Sequence, residues 1–140
     1  MSPVVAVMDE DGDDLFLLQQ ALEQCRQDVR IQAFKNSEDL IEFLNRTKHS
    51  NGQNGEAADL IILGLHLPWE STFELIVKIK SDPALRQVPI IILIGLIPDS
   101  LIDKFYDAGA NTLISRPVLW DELVKVLKKT CDYWFGPLKM

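Results

Sequence analysis

The sequence is poor in the residues that build metal centres and disulfide frameworks. Its 140 residues include two cysteines and two histidines. Cys25 and Cys131 are far apart and neither belongs to a CxxC pair, so the sequence predicts neither a disulfide framework nor a zinc site. With only His49 and His66 available, a histidine-rich metal site is also excluded.

Long apolar runs are missing as well. The two longest nearly unbroken runs, at 60–65 and 88–97, fall far short of the ~20 residues that a bilayer helix needs. Residues 1–8 have no basic region of the kind that begins a signal peptide, and they lead directly into acidic residues. We therefore expect a cytoplasmic protein without a membrane partner.

Basic residues are outnumbered, with 14 lysines and arginines against 21 aspartates and glutamates and a net charge of −7. Such a surface repels the phosphate backbone, so we expect no nucleic-acid partner. Apolar residues make up 47% of the chain and charged residues 25%, which is typical of a globular protein. This length predicts one domain over 1–140, with a core at about 3–134 and a C-terminal tail at 135–140.

Apolar runs and helical patterns alternate five times along the chain. The runs predict strands at 4–7, 29–34, 60–65, 90–94 and 112–115, and the patterns between and after them predict helices at 14–25, 38–45, 72–80, 100–108 and 120–134. The third and fourth runs are apolar at nearly every position, which indicates a parallel sheet buried on both faces. We therefore predict an α/β fold, a flavodoxin-like doubly wound (βα)5 sandwich with strand order 2-1-3-4-5.

Residues at the predicted helix ends support this assignment. Ser71 and Glu74 have the spacing of a capping box, Asp82-Pro83 is expected to end the third helix, and Gly109 is expected to be a left-handed C-cap of the fourth. The polar stretch 45–58 predicts a surface loop. In a sheet of this order, ligands bind where the first and third strands end.

Acidic residues follow the first predicted strand. The run Asp9-Glu10-Asp11-Gly12-Asp13-Asp14 stands where sheets that bind phosphate place glycine, serine or threonine, so it disfavours a nucleotide or flavin. Asp11, Asp13 and Asp14 are explained as helix-cap and first-turn acids. Asp9 and Glu10 precede the helix, and two adjacent carboxylates suit a weak Mg²⁺ site at best.

These residues resemble a family over nearly the whole chain, from Val4 to about Tyr133. The acidic pair, the run Leu63-Gly64-Leu65-His66-Leu67-Pro68 with Phe73-Glu74-Leu75, and Arg116-Pro117 after the fifth strand are similar to response-regulator receiver domains of the chemotaxis-regulator type. The long second loop and Tyr133-Trp134 are similar to small stand-alone receivers, including those paired with bacterial phytochrome kinases. The resemblance implies a two-component phosphorelay role without enzymatic activity.

The resemblance also identifies departures from the family pattern. It places Gly64 at the phosphoacceptor position, Ile94 where the family has serine or threonine, Leu113 at the aromatic switch position and Arg116 at the lysine. Glycine offers no nucleophile, and the planar guanidinium of arginine is not equivalent to an ammonium group. The sequence therefore predicts a pseudo-receiver that has abandoned phosphotransfer, in which Arg116 pairs with Asp9 or Glu10 in place of the divalent ion.

Three functional hypotheses follow. The first is a module that works by phosphorylation-independent protein–protein interaction, with a sensor histidine kinase, a downstream regulator or a second copy as partner. The second is an active receiver that takes phosphate at Asp9, Glu10, Asp11 or His66. The third is a small-molecule sensor in the same crevice. His66 is otherwise interpreted as a loop side chain, and Trp69 as a lid or contact residue.

Apolar residues outside the predicted core are the candidates for an interface. Tyr133, Trp134 and Phe135 are consecutive, so together they cover more of a helix surface than one buried stripe. Leu96 and Ile97 lie in the loop before the fourth helix. We expect both groups to border the face formed by helix four, strand five and helix five and to contribute to a homodimer or partner interface, while packing of the aromatics on the core is the alternative.

Overall fold

The computed structural model describes residues 2–49, 56–66 and 68–137. Five strands and five helices alternate along them. The strands are β1 (Val4–Met8), β2 (Arg30–Phe34), β3 (Leu60–Gly64), β4 (Ile90–Ile94) and β5 (Thr112–Ser115). The helices are α1 (Gly12–Cys25), α2 (Ser37–Thr47), α3 (Glu70–Ser81), α4 (Asp99–Ala108) and α5 (Trp120–Phe135). Of the loop predicted at 45–58, residues 50–55 lie outside the described residues, and the loop begins later than predicted because α2 continues to Thr47.

The strands form one parallel sheet in the order β2-β1-β3-β4-β5. This confirms the predicted flavodoxin-like order. Every residue of β1, β3 and β4 is buried, because these three strands lie in the middle of the sheet with helices on both faces. The edge strands β2 and β5 are only partly buried.

Side chains of the central strands alternate between two apolar layers. On the three-helix face, Ala6, Leu63 and Ile92 pack with residues of α2, α3 and α4. On the two-helix face, Val7 and Ile62 pack with residues of α1 and α5. The result is an α/β/α sandwich in which all five strands end at the same edge, here called the carboxyl edge.

The helix ends confirm some of the local predictions and correct one. Gly109 caps α4 in the left-handed region with φ at 118°, and Asp82 follows α3 in an extended conformation. The predicted capping box of Ser71 and Glu74 is wrong. Helix α3 begins at Glu70, so Ser71 lies within its first turn, and the N-cap is Trp69, whose indole is a donor and not an acceptor.

Candidate functional site

The carboxyl edge brings together the ends of β1, β3 and β5. Asp9 directly follows β1, and its backbone N–H donates to the carbonyl of Phe34 at 3.1 Å, which continues the β1–β2 ladder. Met8 pairs with Leu63, so the next step of the register sets Asp9 beside Gly64, the last residue of β3. Arg116 directly follows β5, and its backbone N–H donates to Ile94 at 2.7 Å.

The Asp9 carboxylate is fully buried and accepts three contacts. Its Oδ1 receives the backbone N–H of Asp11 at 2.9 Å and lies 2.6 Å from His66 Nε2. Its Oδ2 lies 2.9 Å from Arg116 Nη2. An ionised carboxylate only accepts hydrogen bonds, so Nε2 of His66 carries the proton in this contact. Both oxygens of Asp9 are therefore engaged, and the buried charge is neutralised by a guanidinium.

This arrangement confirms the predicted pairing of Arg116 with the acidic pair and identifies Asp9 as the partner. The structure gives the pair a single contact, through Nη2, rather than a bidentate fork. Glu10 is exposed and belongs to no metal-binding cluster among the described residues. The side chain of Arg116 is 21% exposed, so the guanidinium lies at the rim of the crevice and not in solvent.

Gly64 leaves the space that the Asp9 carboxylate occupies. A Cβ placed on Gly64 would fall on Oδ2 of Asp9, 2.7 Å from its Cγ and 2.8 Å from Arg116 Nη2. Contacts this short do not occur between a real Cβ and its neighbours. The Asp9 carboxylate therefore fills the volume into which a side chain at the end of β3 would project.

His66 was interpreted from the sequence as a loop side chain. The structure places it in the crevice instead, where it contacts Asp9 and also lies 3.5 Å from Asp14 Oδ2. Asp14 was assigned only a first-turn role, so this residue was missed as part of the crevice. The spacing between Asp9 and Asp14 in the sequence did not indicate that they are close in space. They are close because the first turn of α1 places Asp14 over the end of β1.

The first-turn assignment itself is confirmed. Asp11 is the N-cap of α1, and its carboxylate accepts the backbone N–H groups of Asp13 and Asp14 at 2.9 and 3.0 Å. The N–H of Asp14 is the main reason that the pKa of Asp11 lies below its ordinary value. Asp11 is therefore committed to the helix end and not to the crevice.

A divalent cation fits these residues poorly. Asp9, Asp14 and His66 offer ligand atoms within 4.8 Å of one another. However, Mg²⁺ prefers oxygen ligands in near-ideal octahedral geometry, whereas this cluster supplies an imidazole and a carboxylate already paired with Arg116. A cation would have to compete with the guanidinium for Asp9.

The other two family positions are apolar. Ile94, at the end of β4, is 5% exposed and belongs to the core of the three-helix face. Leu113 is partly buried and packs against the same core. Neither side chain has a polar atom to offer the crevice.

The predicted interface residues divide between opposite edges of the sheet, which corrects the expectation that they border one face together. Leu96 is fully exposed at the carboxyl edge, whereas Ile97 packs against the three-helix core. Tyr133 is 78% exposed, and Trp134 and Phe135 are half-buried against the two-helix core. The last two line a cavity of about 690 Å³ with Pro3 and Pro89, which precede β1 and β4, so the aromatic end of α5 lies at the opposite edge.

Trp69, expected to be a lid or contact residue, packs against other side chains of the three-helix face. Its ring makes edge contacts with Phe73 and Phe105 at 5.9 and 6.2 Å and lies under Lys104 Nζ at 5.3 Å. Trp69 therefore packs onto the core of the three-helix face.

Comparison with known proteins decides the family. The family model described as "Response regulator receiver domain" matches residues 5–128. The chain belongs to the response regulator receiver domain family. The receiver is 21% identical over 131 residues to the response regulator Rcp1 of Synechocystis, covering 94% of this chain and 88% of Rcp1. It is 26% identical over 126 residues to the two-component response regulator ORR13 of Oryza sativa, covering 90% of this chain and 96% of ORR13.

Solved structures show the same fold. The phosphorylated cyanobacterial phytochrome response regulator RcpA superposes on this receiver with a TM-score of 0.80 at 23% identity, covering 99% of this chain and 98% of RcpA. The Mn(2+)-bound form of Rcp1 superposes with a TM-score of 0.75 at 19% identity, covering 99% of this chain and 98% of Rcp1. The predicted resemblance to small receivers paired with phytochrome kinases is thus confirmed.

The family assignment makes this chain a signalling domain of two-component systems, whose members interact with histidine kinases or downstream proteins. Among the described residues, no helix is long and apolar enough to cross a membrane.

Proposed function

We propose that this receiver signals without phosphotransfer at the end of β3 and acts by binding protein partners. The proposal is carried by the sequence pattern, which aligns Gly64 with the carboxylate that accepts phosphate in the family, together with the position of Asp9 against Gly64. The space in front of Gly64 is filled by Asp9, whose two oxygens are bound by His66 and Arg116. An aspartyl phosphate needs a carboxylate nucleophile with room for in-line attack, and Gly64 supplies neither.

The surroundings of Gly64 support the same conclusion. Ile94 has no hydroxyl with which to hold a phosphoryl oxygen, and the guanidinium of Arg116 is already bound to Asp9. Electrostatic stabilisation of a transferring phosphoryl group requires donors aimed at its developing charge. In this receiver the donors are aimed at Asp9 instead, which fixes the crevice in one charge-neutralised arrangement.

The carboxyl edge offers an exposed apolar surface for a partner. Leu96 follows β4 and is fully exposed, and Val118 and Leu119 follow β5 and are 96% and 62% exposed. Because β4 and β5 are neighbours in the sheet, these loops lie side by side. Trp120, the first residue of α5, adds a partly exposed ring. We propose that this apolar edge surface, made of Leu96, Val118, Leu119 and Trp120, contacts a protein partner or a second copy.

A phosphorylation assay tests the proposal. The wild-type protein is incubated with phosphoramidate and Mg²⁺, which phosphorylate ordinary receivers without a kinase, and its intact mass is measured. We expect no stoichiometric gain of a phosphoryl group. A stoichiometric gain would overturn the proposal, and mapping the modified residue to Asp9, Glu10, Asp11 or His66 would establish the alternative receiver chemistry.

Gly64→Asp is the matched gain-of-function variant. We expect at most weak labelling, because Ile94 offers no hydroxyl to a transferring phosphoryl group and the guanidinium of Arg116 is directed at Asp9. Gly64→Ala controls for the added bulk without a nucleophile. Labelling of Gly64→Asp at the rate of an ordinary receiver would show that Gly64 alone blocks phosphotransfer and that the changes at Ile94 and Arg116 are harmless.

A further inference from the structure

The two cysteines of the chain meet on the two-helix face, far from the crevice. Cys25 is the last residue of α1, and Cys131 lies in the last third of α5. Cys131 is fully buried in the apolar layer, and Cys25 is partly buried and packs against that layer. Both thiols are free, and each is the largest single influence on the pKa of the other. Residues that the sequence separates by most of its length therefore lie close together.

The neighbouring residues confirm this placement independently. Arg26 follows Cys25 and Asp132 follows Cys131, and Nη1 of Arg26 lies 2.9 Å from Oδ1 of Asp132. The same nitrogen donates to the carbonyl of Gly136 at 2.8 Å, and Asp28 holds Nε and Nη2 at 2.8 and 2.9 Å. The guanidinium of Arg26 is buried, and its hydrogen bonds hold together the two backbone segments that carry the cysteines.

The two thiols differ in reactivity. The neighbouring Cys131 thiol lowers the pKa of Cys25, and the positive charges of Arg26 and Lys128 act in the same direction. The contact with Cys25 and burial both raise the pKa of Cys131. Cys25 is also the more accessible of the two. Cys25 therefore loses its proton more readily and is the first of the two to meet an oxidant, and the buried Cys131 is placed to resolve the oxidised form.

We propose that Cys25 and Cys131 form a reversible intramolecular disulfide when the protein meets a peroxide. The Cys25 thiolate attacks one oxygen of hydrogen peroxide, the O–O bond breaks, hydroxide leaves and Cys25 becomes a sulfenic acid. The sulfur of Cys131 then attacks the Cys25 sulfur, the S–O bond breaks, and water leaves with the Cys131 proton. Overall, two thiols and one hydrogen peroxide give one disulfide and two waters. A dithiol reductant returns both thiols.

The bond would join the end of α1 covalently to α5, at the site where Arg26 already holds the two segments together. It is independent of the crevice, because Asp9, His66 and Arg116 lie at the carboxyl edge whereas α1 ends at the opposite edge of the sheet. The proposed disulfide would therefore let this receiver respond to an oxidant without using the crevice. Its test is independent of the test of the proposed function.

The test treats the full-length wild-type protein with hydrogen peroxide and measures its intact mass and free thiols. We expect the monomer to lose about 2 Da, the mass of two hydrogens, and both free thiols to disappear. Digestion without reductant should give a single cross-linked peptide pair containing Cys25 and Cys131. Dithiothreitol should restore the original mass and both thiols.

Single variants test the division of roles. Cys25→Ser should keep its buried Cys131 reduced and show no loss of 2 Da. Cys131→Ala should stop at the Cys25 sulfenic acid, which a 1,3-dicarbonyl probe traps. If Cys131→Ala does not fold, peptide mapping of the wild type still decides the question. The proposal is overturned if the wild type keeps both thiols under conditions that oxidise free cysteine, if it gains oxygen without losing 2 Da, or if the disulfide joins two chains.

Discussion

At the scale of single residues, the crevice depends on one buried carboxylate that is bound by three neighbours. Asp9 accepts from the backbone N–H of Asp11, from His66 and from Arg116, and its Oδ2 lies where a Cβ of residue 64 would stand. A glycine is therefore required at the end of β3 for a steric reason and not for backbone freedom. Any side chain at this position must displace Asp9 from its ion pair.

This steric argument predicts the stability of variants at Gly64. Gly64→Ala should lower the free energy of unfolding by about 1–3 kcal/mol, because its Cβ overlaps Asp9 in a closely packed site. Gly64→Asp should cost more, since it adds a second carboxylate beside a buried one. Urea denaturation measures both. Gly95→Ala is the matched control, because a Cβ on Gly95 meets nothing within 4 Å. Equal stability of the Gly64→Ala and Gly95→Ala variants would contradict the packing argument.

The ion pair predicts a second residue-level effect, on cation binding. Arg116→Met frees Oδ2 of Asp9 from its cationic partner. We therefore expect Mg²⁺ to bind the variant more tightly than the wild type, which should bind it only weakly. Calorimetric titration with Mg²⁺ measures both affinities. Arg86→Met removes an exposed positive charge elsewhere and should leave the affinity unchanged. Saturable sub-millimolar binding to the wild type, unchanged in Arg116→Met, would show that the guanidinium does not compete with the ion.

At the scale of elements, local sequence signals located the helices and strands but did not reveal the contacts between distant elements. The left-handed cap at Gly109 was predictable because only glycine adopts that conformation without strain, and its φ of 118° confirms it. The spacing of Ser71 and Glu74 was misleading because α3 begins earlier, at Glu70. A capping motif describes local geometry alone, and the chain before α3 sets where that helix starts.

For the candidate site too, the sequence identified some residues and missed others. The sequence identified Asp9, Gly64 and Arg116, because each follows or ends a strand whose position in the sheet could be predicted from the alternating pattern. It did not place His66 in the crevice, because a loop side chain has no period that indicates its direction. Arg26 was missed for a related reason. Asp28 is two residues away and gives a local signal, but Asp132 and Gly136 come from the other end of the chain.

Arg26 couples the stability of α1 and α5 to pH. Arg26 lowers the pKa of Asp28, and Lys128 and then Arg26 lower the pKa of Asp132. A depressed pKa in the folded state contributes stability above the ordinary carboxyl pKa of about 3.9, and this stability is lost as the pH falls further. The contribution of Arg26 should therefore be constant between pH 7 and about pH 5 and decline below about pH 4.

Arg26→Met tests this dependence. At pH 7 the variant should lose about 2–3 kcal/mol of unfolding free energy, because it removes a buried cation with several hydrogen bonds. The difference from the wild type should shrink as the pH falls below about 4, which urea midpoints at several pH values measure. Lys128→Met controls for the exposed partner of Asp132. A difference that stays constant down to pH 2 would show that Arg26 acts through packing, including its contact with the Phe135 ring, and not through its carboxylate partners.

At the scale of the whole molecule, the exposed apolar residues that follow β4 and β5 are separated from Tyr133 by the length of the sheet. Leu96, Val118 and Leu119 lie at the carboxyl edge, whereas Tyr133 lies near the end of α5 at the other edge. Trp134 and Phe135 are partly buried against the two-helix core, so polar replacements there would disturb folding as well as any interface. The exposed residues are therefore the better probes of association.

We expect the apolar edge surface to form a homodimer that buries on the order of 1,200 Å² or more. The double variant Leu96→Ser/Leu119→Ser removes its two most exposed leucines and should sediment as a monomer where the wild type sediments as a dimer. Tyr133→Ser is the matched control at the opposite edge and should remain dimeric. If only Tyr133→Ser is monomeric, the interface lies at the aromatic end of α5 instead. A wild type that stays monomeric at high concentration would exclude self-association and leave the apolar edge surface for a different protein partner.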